Sequence, residues 1–149
     1  MTALALRAAL ALAALWLAAA PCAAIDNPDA PDRVADFQAR ARPYEARIGA
    51  AASTAETVAA YAEYERFLDS ELNRVYQELA GRLDDDARAQ LRRSQKRWLA
   101  FRDEEFQFID DNWTQERFGT SAALSRGDYR CSLLKERTVR LLQYLRNYP

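Results

Sequence analysis

The chain predicts an all-α protein: an antiparallel helical hairpin and a C-terminal helix that together make a small helical bundle. Three observations carry that prediction. Apolar residues recur at intervals of three and four over several long segments, the period of a helix with one buried face. No segment shows the alternation of a half-buried strand. Only four glycines interrupt 149 residues.

The elements follow in order. Arg7 is followed by an unbroken apolar run, Ala8 to Ala20, of thirteen residues. Spanning a bilayer takes about 20, so this run reads as the apolar region of a signal peptide, with cleavage expected after Ala24. Lipid attachment at Cys22 is disfavoured by Pro21 beside it. The expected mature chain, 25–149, has no later apolar run of membrane length. Its first part, 25–53, opens acidic and Pro-rich (Pro28, Pro31). It then carries Val34, Phe37, Ala41, Tyr44 and Ile48 at helical spacing. Pro43 interrupts that stripe, at about 3 kcal/mol in a helix interior. A kinked helix, or two short ones with Pro43 in the first turn of the second, is therefore expected.

The helical domain is expected over 54–149. Ser53 with Glu56 is a capping-box pattern. Behind it run Tyr61, Tyr64, Leu68, Leu72, Val75, Leu79 and Leu83, with Gly81 as the expected stop. Asp84 to Asp86 then suit the N-terminus of a second long helix reaching about Asn112, by capping and by charge. A cap is also the simpler reading of that triplet than a metal site. This helix carries two apolar stripes. Leu91, Trp98, Phe101 and Phe108 form one, and Leu99, Phe106, Ile109 and Trp113 the other, so two contact faces are expected. Residues 114–127 read as a loop. Asp128 reads as the cap of a last helix with Cys131, Leu134, Thr138, Leu141, Leu145 and Tyr148 on its apolar side.

Composition excludes several functions. Without Arg7 the chain has 20 basic and 22 acidic residues, against the basic surplus that nucleic acid binding requires. The absence of histidine removes the commonest general base and most zinc sites. Adjacent Glu104 and Glu105 point about 100° apart on a helix, so they are not a paired-carboxylate site, and no enzyme, cofactor or metal is expected. Only Cys131 remains after cleavage, which leaves no internal disulfide. Asp103, Glu104, Glu105, Asp110 and Asp111 crowd a helix C-terminus, against the macrodipole. If the last helix folds back from Asp128, Lys135 would lie near Glu105 and Arg137 near Asp103.

Leu72-Asn73 with Tyr76, then Leu83, Leu91, Gln95, Trp98 and Arg102-Asp103, and finally Cys131 before Arg137-Thr138 and Leu141, resemble the LprI-type family. These are small exported bacterial domains named after a lysozyme inhibitor. The resemblance covers about residues 54–146 and implies a non-enzymatic protein of the periplasm or the secreted fraction. Its partner would be a protein, a muramidase such as lysozyme. Members usually carry more cysteines. One follows the Arg-Asp pair, where Phe106 stands here, and another lies near Ala60–Tyr61. Against that pattern Cys131 lacks its partner, and is either a buried thiol or half of an intermolecular disulfide.

Two roles follow for the matching residues. Arg102, Gln95, Asn73 and Tyr76 would form a polar network that sets the hairpin register, with Arg102 opposite Tyr64 and held by Glu105 or a carbonyl of the 114–127 loop. Alternatively Arg102 and Asp103 rim a binding surface with Glu105, Arg117 and Arg126. The inhibitory surface would be that loop or the acidic edge. The alternative function is an assembly module, a homodimer through the stripe of Leu99, Phe106, Ile109 and Trp113.

Overall fold

In a computed structural model, which describes residues 31–148, helix α1 runs Arg33–Ala50. Asp32 starts it by accepting from the Val34 and Ala35 amides at 3.1 and 2.9 Å. The helix passes through Pro43 without a break, so the expected division there is not found. The reason is packing. Phe37 and Ala41 are fully buried, and Tyr44 stacks on Phe67 with ring centroids 4.4 Å apart. These contacts span both sides of the proline and outweigh one missing backbone donor.

Helix α2, Thr54–Arg82, begins at the Ser53 cap, whose hydroxyl accepts from the Glu56 amide at 3.2 Å. Glu56 reaches back one residue further than a capping box requires, to the Ala52 amide at 2.8 Å. Gly81 lies within the helix rather than ending it. Its last carbonyls are taken up by Arg88, which donates to Ala80 O at 2.8 Å and Leu83 O at 2.7 Å. Helix α3, Asp85–Asn112, starts from Asp84, whose carboxylate accepts from the Ala87 amide at 2.8 Å.

The expected 114–127 loop is mostly helical. Gln115–Phe118 form one turn, α4, and Gly119 turns the chain at φ 61°. Helix α5 then runs Ser121–Leu145. Gly127 and Asp128 are inside it, not before it. Gly127 is there for closeness, because a Cβ on it would lie 2.5 Å from Tyr61 Cγ.

α1, α2, α3 and α5 alternate in direction, as an up-and-down bundle does. The hairpin of α2 and α3 is present, yet the most extensive contact joins α2 to α5. These two run parallel: Cys131 lies on the Tyr61 carbonyl, and Arg82 near the other end donates to Tyr148 O at 3.0 Å. Their seam holds Leu68, Leu72, Val75, Leu79, Leu134, Leu141 and Leu145, all at most 2% exposed. Helix α1 packs mainly on α2, and α3 more on α5 than on α2. Three ion pairs tie α1 to α2 at near-heptad spacing: Arg33 with Glu78, Arg40 with Glu71, and Arg47 with Glu63. Among the described residues no helix is long and apolar enough to cross a membrane. The expected signal peptide and Cys22 lie outside the described residues.

Candidate functional site

The C-terminal half of α3 has two sides, and the expected site residues divide between them. On one side a cleft of about 620 Å³ opens between α2 and α3, with Phe106 and Leu134 among its lining. Charged pairs close over the Phe106 ring. Arg130 lies 4.2 Å from its centroid and Arg102 5.7 Å. Arg130 is held by Glu65 at 2.8 Å and Asp110 at 3.1 Å. Burial alone would weaken that cation, but its bonds to Glu65 and the nearby Asp110 keep its pKa raised. Arg102 donates to Asp103 at 2.6 and 2.9 Å and lies 3.6 Å from Asp69.

Arg102 is therefore placed near Asp69, not opposite Tyr64, and neither Glu105 nor a carbonyl of 114–127 holds it. Tyr64 instead faces α1, where its hydroxyl donates to Glu45 at 2.8 Å. The expected polar network splits in two. Asn73 bonds Asp69 at 3.2 Å, beside Arg102. Gln95 is buried and accepts two bonds from Arg137, at 2.9 and 3.1 Å, while that guanidinium lies 5.5 Å from the Trp98 centroid. Burial without a carboxylate partner lowers the Arg137 pKa. Lys135 reaches Glu45 of α1 at 2.7 Å rather than Glu105. The antiparallel register of α3 and α5 is as expected, since Arg130 meets Asp110. The expected pairs fail because Lys135 leaves α5 toward α1, while Arg137 meets α3 nearer its start, at Gln95, and Asp103 is held by Arg102. Leu72 is core, Tyr76 is half-buried against it, and Thr138 is buried with its hydroxyl on Leu134 O at 2.8 Å.

Cys131 is 3% exposed with its sulfur 3.8 Å from Tyr61 O. It therefore faces the Ala60–Tyr61 stretch, where the resemblance led to the expectation of a partner cysteine. Burial, then the nearby Glu65 and Asp128, pushes its thiol up to about 12. A buried thiol with no partner among the described residues leaves the expectation of an intermolecular disulfide without an accessible sulfur.

The other side of α3 faces the start of α5 across a groove of about 250 Å³, lined by Glu105, Phe108, Ile109, Trp113, Tyr129 and Leu133 among others. Trp113 is its centre. Tyr129 meets it edge-on at 5.0 Å, Phe108 at 5.8 Å, and Phe118 stacks at 6.4 Å. Phe108, Phe118 and Tyr129 are each over 40% exposed. The cluster is built by the end of α3, by α4, and by the Gly119 turn that returns the chain to α5. Arg126 braces it, donating to Trp113 O at 2.9 Å and approaching Asp110 to 3.9 Å. With Arg130 it also offsets the acid at the α3 C-terminus. Arg117 approaches Asn112 at 3.5 Å. Glu105 lines the groove, forms no ion pair with another described residue and makes the rim negative there; Glu104 and Asp111 lie on the outward face of α3, Asp111 accepting from Gln107 at 2.9 Å.

Two of the four residues of the stripe expected to pair copies are covered within the molecule. Ile109 is buried, and Phe106 lies under Arg102 and Arg130. The exposed aromatics of α3, Phe101 and Phe108, come from the first stripe. Phe118, Tyr129 and Arg130 were not legible as site residues. Phe118 follows Trp113 across a non-periodic turn, and Tyr129 and Arg130 lie just after Asp128, where the sequence reads as the first turn of a helix and they stand off its apolar stripe.

No curated protein and no solved structure matches the chain significantly. A family model, lysozyme inhibitor LprI, matches residues 46–141, from the end of α1 to the last turn and a half of α5. That span includes the α2–α5 seam, the charged cleft and the aromatic groove, and the chain belongs to the lysozyme inhibitor LprI family.

Proposed function

We propose that this protein is exported, loses residues 1–24, and acts in the periplasm or outside the cell as a binding protein that inhibits a muramidase. The observation that carries the reading beyond the family is the exposed aromatic groove around Trp113, with the Glu105 carboxylate in its lining. Interfaces draw their affinity from a few aromatic anchors and their encounter rate from complementary charge. Phe118 and Tyr129 supply anchors, and Glu105 supplies charge that a cationic muramidase seeks. The groove stands on the ends of two long helices, so the surface is pre-formed and little ordering accompanies binding.

Inhibition is read by the clearing of a cell-wall suspension by lysozyme in the presence of the 25–149 chain. A tenfold molar excess is expected to slow clearing. The Phe118→Ala and Glu105→Lys variants are expected to inhibit about tenfold less well, in keeping with the loss of one interface anchor or one favourable charge. Unchanged lysis at that excess overturns the proposal.

A further inference from the structure

The outward face of α3 carries a pattern that the core does not use and that meets the groove only at Phe108. Arg93, Arg97, Ala100, Glu104, Gln107 and Asp111 follow one another at three and four residues, the spacing of one helical face. All are exposed. Phe101 and Phe108 stand beside them, 48% and 54% exposed. Among the described residues Arg93, Arg97 and Glu104 join no ion pair. The helix also sets like charges four residues apart, Arg93 with Arg97 and Arg92 with Lys96. That arrangement destabilises a helix by itself, whereas opposite charges at the same spacing stabilise it.

The order of this face reverses about a point between Ala100 and Phe101. Set antiparallel to itself, it brings Arg97 opposite Glu104, Arg93 opposite Phe108, and Ala100 opposite Phe101. Each of these pairs then occurs twice, as an isologous two-fold contact requires. We propose that a second copy of this chain docks here, α3 against α3, with Phe101 of each copy over the small Ala100 of the other. Arg93 then lies over the Phe108 ring, and Arg97 pairs with Glu104. A uniformly anionic surface is repelled by Glu104 and Asp111, and a uniformly cationic one by Arg93 and Arg97. A second copy in the antiparallel register gives Arg97 and Glu104 each an opposite charge. This face is distinct from the stripe of Phe106 and Ile109, which α5 and its arginines cover.

From Arg93 to Asp111 the face is about 27 Å long at 1.5 Å per residue. That is a small interface, so a micromolar, salt-sensitive dimer is expected. The test is sedimentation of the 25–149 chain across a micromolar concentration series, a readout that does not involve lysozyme. In an antiparallel pair, Arg97→Glu sets Glu against Glu104, and Glu104→Arg sets Arg against Arg97. Each single variant is expected to raise the dissociation constant at least about tenfold. The double variant R97E/E104R restores opposite charges and is expected to return within about threefold of the parent. Circular dichroism should be unchanged in all three, since both side chains are exposed. A monomer at every concentration overturns the proposal. So does a dimer that the double variant fails to restore, or one that added salt leaves untouched.

Discussion

A β-carbon built at Gly127 would meet the Tyr61 side chain at 2.5 to 2.8 Å, while one at Gly81 meets nothing within 4 Å. The two glycines therefore predict opposite outcomes for the same added methyl. Gly127→Ala forces α5 away from α2 or turns Tyr61 out of its rotamer, and is expected to destabilise by about 1–3 kcal/mol. Gly81 is helical, so Gly81→Ala is expected to stabilise by about 0.5–1 kcal/mol. Urea midpoints of the two variants decide this. Similar shifts for both would mean that Gly127 is not a point of close approach. In sequence both read as breaks in a pattern, since close approach depends on a residue 66 positions away and Tyr61 carries no mark of it.

Pro43 belongs to the scale of the element. It sits inside an 18-residue helix whose interior it should disfavour. The helix survives because Phe37, Ala41, Tyr44 and Ile48 all lie on the α2 side, and because Arg33, Arg40 and Arg47 each find a glutamate there. Exposed pairs of this kind contribute about 0–1 kcal/mol each, so the aromatic contacts carry most of the docking. Pro43→Ala restores a backbone donor to an exposed position and is expected to raise stability by about 1–2 kcal/mol, part of the helix-interior cost being offset by the freer unfolded chain. A drop in the urea midpoint would show that the proline shapes α1 to its partner. The caps at Ser53 and Asp84 and the length of α3 were legible, because an N-cap is a local matter of one side chain and the next turn. The start of α5 was not: Gly127 and Asp128 mimic a helix start, and tertiary contact overrides them.

At the scale of the whole molecule, stability against pH follows from which groups the fold perturbs. Lys135, with Tyr64, holds the Glu45 carboxyl below its ordinary value; at Glu71 burial pulls upward but bonds from Arg74 and Arg40 prevail and lower it. A depressed carboxyl contributes stability above its unfolded value, about 4.3, and loses that contribution as pH falls through the folded one. Burial raises Tyr64, with Glu45 adding to it, and raises Cys131 to about 12. Groups raised in the fold contribute fully below their unfolded values, about 8.5 for Cys and 10 for Tyr, and lose that contribution as pH rises. With no histidine in the chain, no side chain of ordinary pKa titrates between these arms. Urea midpoints are therefore expected to be flat from about pH 5 to 8 and to fall on both sides. Glu71→Gln should lower the plateau and approach the parent at low pH. A slope inside that window, or a Glu71→Gln difference that persists at pH 3, would contradict this account.

Periodicity determined that the chain is helical and which residues face inward, except Phe101, Phe108 and Tyr148, which are exposed; the capping residues determined where α2 and α3 begin. Those properties depend on neighbours three and four residues away, which the sequence displays directly. Residue identities over most of the domain also carried the family. The tertiary structure decided that α2 pairs most closely with the parallel α5. It also decided that Arg102 answers to Asp69 and Arg137 to Gln95, and that Phe108, Trp113, Phe118 and Tyr129 converge on one groove. A stripe reports that a side chain is buried but not against which helix. A guanidinium's partner depends on the angle at which two helices meet, a property of the assembled bundle that no single segment encodes.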